Sequence, residues 1–176
     1  MDPYRPDQWH DFFLATAGAA AALAGLLFVA LSLHMRYIAT ETVYREMARG
    51  SLIGLVMALV LSLLVLAHQP VRWLGIGAAL AGAAYLGIVA GQQVFSLRRS
   101  GRPLPGESLV RSIVGYFLAF VGLVTGLGIA FEIGPGLYVI ALIVVAIVMW
   151  SLWNAWVLVI GVADEEIDAE KRAPRV

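Results

Sequence analysis

The 176-residue chain contains no cysteine and places almost no charge outside short connecting segments. Without cysteine there is no disulfide and no thiolate metal site. Asp, Glu, Lys and Arg make up 14% of the residues, and the formal net charge is zero. A soluble domain carries about a quarter charged residues, and a nucleic-acid-binding one adds a basic surface that this chain lacks. Nucleic acid is therefore not an expected partner. A cleaved secretory signal is also not expected. Such a signal starts basic and has an apolar run of about 7–15 residues. The opening MDPYRPDQWHD instead holds three Asp and one Arg, and 22 uncharged residues follow it at 12–33.

What the sequence has in quantity is apolar residues, 61% of the total. A soluble protein of this size has too little interior to hide them. Crossing about 30 Å of hydrocarbon takes about 20 apolar residues in a helix. Five stretches qualify: 12–33, 50–67, 73–97, 112–131 and 137–162. HQPVRW, RRSGRPLPGES and EIGPG punctuate them with the Pro and Gly that end helices. The runs show no period-2 alternation, so a barrel is disfavoured, and lipid otherwise admits only helices. The expected fold is all-α: a polytopic membrane bundle of five transmembrane helices in one domain, 1–163, with a charged tail at 164–176.

Five spans put the termini on opposite sides of the bilayer. The side of the N-terminus carries Arg5 and Arg72, and the opposite side carries the remaining ten of the 12 Lys and Arg. The richer side is cytoplasmic. The expected placement is a bacterial cytoplasmic (inner) membrane, N-terminus outside and C-terminus inside. The 34–49 link reads as partly helical: Glu41 and Arg45 stand four apart in the favoured order, and Thr40 is a candidate cap. The tail reads as solvated and frayed beyond its first residues.

An offset of 61 residues lays Ser51, Gly54 and Ala58 over Ser112, Gly115 and Ala119. This suggests one helical hairpin used twice in the same orientation, plus a fifth helix. Small residues also recur every fourth position, which is one face of a helix. The rows are Ala17, Ala21 and Gly25 in the first span; Gly50, Gly54, Ala58 and Ser62 in the second; Gly75, Ala79, Ala83, Gly87 and Gly91 in the third; and Gly122, Gly126 and Ala130 in the fourth. Such rows let helices approach closely in lipid, where association depends on dispersion. They are expected to pack one subunit together, and a row in the first or third span is the candidate homo-oligomer interface. The bulky fifth span, LYVIALIVVAIVMW, is expected at the periphery.

No Asp, Glu, Lys or Arg lies within a span, which disfavours proton relays, voltage sensors and ion-coupled carriers. The neutral polar residues Gln92, Gln93 and Asn154, with Thr125 nearer mid-membrane, are candidates for a vestibule on the cytoplasmic side. Interhelical hydrogen bonding is the plainer role for them. On the outer side His10, Asp11, His68 and Glu132 form a titratable group suited to a metal or a pH response. Its one close pair, His10 and Asp11, is adjacent in sequence and has no ligand spacing. No histidine pair suits a haem, and no cofactor or metal is expected. Trp150 reads as a packing residue, while Trp9, Trp73 and Trp156 read as interfacial anchors. No nucleophile–base pair, phosphate-cradling loop or paired carboxylates appear, so an enzyme is not expected.

The stretch WHDFFLATAGAAAALAGLLFVALSL, residues 9–33, resembles small uncharacterised multi-pass bacterial membrane proteins, some of them labelled modulators of the membrane protease FtsH. The resemblance implies a bacterial cytoplasmic membrane and a regulatory partner, and carries over no functional residue. Three roles are consistent with the whole: a self-assembling channel-like protein or scaffold, a regulatory subunit docking on a larger membrane complex, and an uncoupled small-solute carrier.

Overall fold

Two tight turns set the frame of the bundle. In the computed structural model, which describes residues 2–33, 42–100 and 106–172, a short 3₁₀ turn at Pro6–Trp9 leads into five helices. These are α1 (His10–Leu33), α2 (Thr42–Leu66), α3 (Val71–Ser100), α4 (Gly106–Ala130) and α5 (Leu137–Arg172). All five are long and apolar enough to cross a membrane, and no strand occurs among the described residues.

At the α2–α3 turn His68 is left-handed (φ 45), and Gln69 Nε2 donates to the Leu64 carbonyl at 3.0 Å. Pro70 then starts α3, its carbonyl accepting from Trp73 N and Leu74 N. Pro suits that place because it has no N–H to lose. After α4, Ile133 N bonds Gly128 O and Glu132 N bonds Ile129 O, the paired bonds that close a helix on a left-handed residue. That residue is Glu132 (φ 57), not glycine. Gly136 (φ 52) follows, where a Cβ would meet the Pro3 carbonyl oxygen at 2.5 Å. The close approach lets Pro3 O cap α5 by accepting from Leu137 N at 3.0 Å.

The N-terminal segment thus latches onto the α4–α5 turn. Tyr4 donates to the Gly134 carbonyl, and Trp9 Nε1 donates to Asp2 O at 3.0 Å. Trp9 also stands edge-on to Tyr138 at 4.7 Å. Trp9 is buried while Trp73 and Trp156 are exposed, so the interfacial role expected of Trp9 is corrected. It seals the end of a core made by α1, α2 and α5.

The closest packing joins α3 to α4. A Cβ on Gly75 or Gly126 would collide with the backbone of Ala130 or Ala79, and one on Gly82 would stand 2.6 Å from Leu123 N. Without side chains between them, the two backbones are in contact and gain dispersion along several turns. On the other side α2 is central, meeting α1, α5 and α3. The Thr16 and Ser62 hydroxyls meet across α1 and α2 at 3.1 Å.

Two expectations about faces are overturned. The fifth helix is not peripheral: Leu137, Ile140, Ala141, Val144, Ile147 and Ser151 bury one stripe against α2. Gly54 and Ala58 of α2 leave the hollow that these large residues fill, and a Cβ on Gly54 would strike Ser151. In α1 the buried stripe is Phe13, Ala17, Ala20 and Leu27, while Ala21 and Gly25 point outward. Phe13 and Leu27 offer more contact area than an alanine row, so they choose the face. In α3 the row divides: Gly75 and Ala79 are buried, Ala83, Gly87 and Gly91 exposed.

Helix α5 runs on without a break to Arg172, 36 residues in all, or about 54 Å at 1.5 Å per residue. The fraying expected beyond the first residues of the tail is therefore corrected as far as Arg172, and helix-forming Glu, Ala, Lys and Arg account for the extension. Of the 34–49 link, 42–49 form the first turns of α2. Thr40 and Glu41 lie outside the described residues.

Candidate functional site

Each of α2, α3, α4 and α5 brings polar residues to the end of the bundle that carries most of the arginines. The contacting pairs α2–α3, α3–α4, α4–α5 and α5–α2 close a ring, with α2 and α4 across from each other. They enclose a cavity of about 150 Å³, room for roughly five waters at liquid volume. The α2 wall is Glu46, Met47, Gly50, Ser51 and Gly54; the α3 wall is Tyr85, Val89, Gln92 and Gln93. From α4 come Ser112, Gly115 and Leu118, and from α5 Ile147, Trp150, Ser151 and Asn154.

Two glycines let the walls approach. A Cβ on Gly54 would strike Ser151, one on Gly115 would stand 3.5 Å from both Val89 methyls, and each glycine stands three residues beyond a serine on the wall. Ser51 with Gly54 and Ser112 with Gly115 are the positions that the 61-residue offset superimposes. The two halves of the apparent repeat therefore face each other across one cavity.

The hydrogen-bonding state of the wall is uneven. Tyr116 OH donates to Gln93 Oε1 at 2.9 Å, joining α4 to α3. Asn154 Nδ2 donates to the Trp150 carbonyl at 2.8 Å. Ser51 is 2% exposed, and its hydroxyl is buried with no hydrogen-bond partner. Two other helix serines satisfy themselves by donating four residues back, Ser32 to Phe28 O and Ser62 to Ala58 O, both at 2.8 Å. That local bond is the ordinary resting place for a serine hydroxyl in an apolar helix. An unmet buried hydroxyl costs about 1–3 kcal/mol, so Ser51 is the wall group with most to gain from a ligand or water.

The cavity is closed toward the N-terminal end. Beyond Gly54, Tyr85, Leu118 and Ile147 come Ala58, Gly82, Gly122 and Val144, all buried, and then the core of Leu74, Ile129 and Ile140. The hollow is a one-sided pocket and not a pore through the subunit.

Gln92, Gln93 and Asn154, drawn from two helices, share this wall. Thr125 does not: it stands seven residues past Leu118 on α4, about 10 Å along the axis. Trp150, read from the sequence as packing, is also on the wall. Tyr85 and Glu46 escaped sequence reasoning. A lone tyrosine in the alanine and glycine run of α3 was the available signal for the first. Glu46 precedes its apolar run, so it looked like part of a link.

At the opposite end His10 Nδ1 lies 3.3 Å from Asp11 Oδ1, and the His10 and His68 rings are 6.3 Å apart. Glu132 sits in the other turn, exposed. Among the described residues no three His, Cys, Asp or Glu are placed to share a metal ion. A second hollow, of about 600 Å³, opens sideways between α1 and α5 and is lined by Leu23, Leu26, Leu27, Leu152 and Trp153 among others. Compared with protein-family models, curated proteins and solved structures, the chain matches none.

Proposed function

We propose that this chain is a non-enzymatic, multi-pass protein of the bacterial cytoplasmic membrane that binds a small polar solute in a one-sided cavity opening toward the cytoplasm. The observation that carries this reading is the Ser51 hydroxyl, buried and unpartnered on a wall that also bears Gln92, Gln93, Asn154 and Ser112. Polar groups inside a membrane bundle are costly unless they are bonded, and a wall with spare donors and acceptors is a binding surface. The orientation rests on charge. The cavity lies at the end with ten of the 12 Lys and Arg, which the positive-inside rule makes cytoplasmic.

Thermal unfolding of the purified protein in nanodiscs, scanned against a panel of small polar solutes, tests the reading. A solute at 100 times its Kd adds about 2.7 kcal/mol of stability. Ser51→Ala and Gln92→Ala are expected to reduce the response. A panel spanning cations, anions and neutral solutes that leaves the unfolding temperature unmoved would refute it.

A second reading, a self-assembling channel-like protein or scaffold, is supported by the outward small rows. Gly87 and Gly91 of α3 and Gly25 of α1 have nothing of their own chain near them, so another copy can approach closely there. In this reading the polar path lies between copies, since the cavity within one subunit is closed toward the N-terminal end.

A further inference from the structure

Among its described residues the cavity wall carries charge of one sign only. Glu46 is the only ionised side chain among its described residues, and neither Lys nor Arg joins it there. Arg45 and Arg49 flank Glu46 in sequence, but both are exposed and off the wall. Among the described residues Glu46 makes no ion pair. Two aromatic residues, Tyr85 on α3 and Trp150 on α5, contribute to the same wall. Aromatic faces and a carboxylate attract cations. Deeper on the wall stands the Ser51 hydroxyl, which has no partner and can accept or donate a hydrogen bond.

We propose that the solute is a small organic ammonium ion, its charge set toward Glu46 and its far end toward Ser51. This inference rests on the cavity being a solute site. Glu46 and Ser51 are five residues apart on α2, about 7.5 Å along the axis, so one short chain with a polar group at each end spans between them. The cavity volume of about 150 Å³ limits such a solute to a few heavy atoms. An anion of the same size would be placed beside a carboxylate, with no cation among the described wall residues to offset it. A neutral solute would gain the hydrogen bonds but not the charge.

Three probes of one size separate these cases: ethanolamine hydrochloride, ethylene glycol and sodium glycolate. Each is titrated calorimetrically into the full chain in phosphatidylcholine nanodiscs, whose zwitterionic lipid does not concentrate cations. Ethanolammonium is expected to bind roughly tenfold more tightly than ethylene glycol, and glycolate not to bind. Glu46→Gln is expected to bring ethanolammonium down to the level of the glycol, and Glu46→Asp to keep most of the difference. Ser51→Ala is expected to weaken both ligands alike. Equal affinity for ethanolammonium and glycol, or stronger binding of glycolate, overturns the ammonium assignment and leaves the solute cavity standing. Binding of none of the three overturns the ammonium assignment too, and the broader solute panel then decides the cavity reading separately. If Glu46→Gln does not fold, the order of the three probes on the unaltered protein decides the matter.

Discussion

At the scale of single residues, Ser51, Glu132 and Gly136 each carry a measurable consequence. Ser51 holds a buried hydroxyl with no partner, so Ser51→Ala is expected to stabilise the empty protein by about 1 kcal/mol while weakening solute binding. Opposite signs in thermal unfolding and in calorimetry are what separate a ligand-facing group from a packing one. Glu132 occupies the left-handed region without being glycine, which costs about 1 kcal/mol. Glu132→Gly is expected to recover about that much in chemical unfolding, because glycine meets no penalty there. Gly136 differs in that both its φ and its contact with Pro3 O demand glycine. Gly136→Ala is expected to break the N-terminal latch, seen as faster proteolysis before residue 9.

At the scale of elements, the helices divide by what their glycines touch. Gly126 lies against the backbone of Ala79, so Gly126→Leu must push α3 and α4 apart, at a cost of about 3 kcal/mol or more. Gly87 has open space around it, so Gly87→Leu is expected to leave the fold intact. If copies assemble through α3, the same substitution dissociates the assembly, which the mass of the detergent-solubilised protein reads directly. Both glycines belong to rows of small residues spaced every fourth position, and nothing in either row announces which one is inside. Helix α5 shows the converse. Its bulk suggested a lipid-facing helix, yet its large residues are buried opposite the small row of α2. Size on one helix has meaning only against the partner's size, and the partner is not written in the same stretch of sequence.

At the scale of the molecule, the bundle is an α3–α4 hairpin set beside a three-helix unit of α1, α2 and α5, with the cavity where the two meet. The N-terminal end is closed by Trp9, Phe13, Leu74 and Leu137, all buried. The opposite end is lined by hydroxyls and amides. Reporter fusions at residues 103 and 134 test the proposed orientation: cytoplasmic signal is expected from the first and none from the second. The reverse pattern would turn the cavity to face the outside and would require a solute available there. The gathering of Gln92, Gln93 and Asn154 was legible because neutral polar residues in a span are few and all three lie toward one end. Thr125 met the first condition and not the second, and it lies off the wall. Glu46 was not legible, because a charge just before an apolar run looks the same whether it faces water or a cavity.

The sequence by itself determined the number of helices, their approximate ends and the all-helical class. Those follow from the length of the apolar runs, from Pro and Gly in the turns and from the cost of unbonded backbone in lipid. Only the tertiary structure decided which face of each helix turns inward, that α5 is central, and that the two serine–glycine pairs look onto one space. The physical reason is that lipid outside and core inside are both apolar. A transmembrane helix is hydrophobic all round, and the periodicity that marks the buried face of a soluble helix is lost.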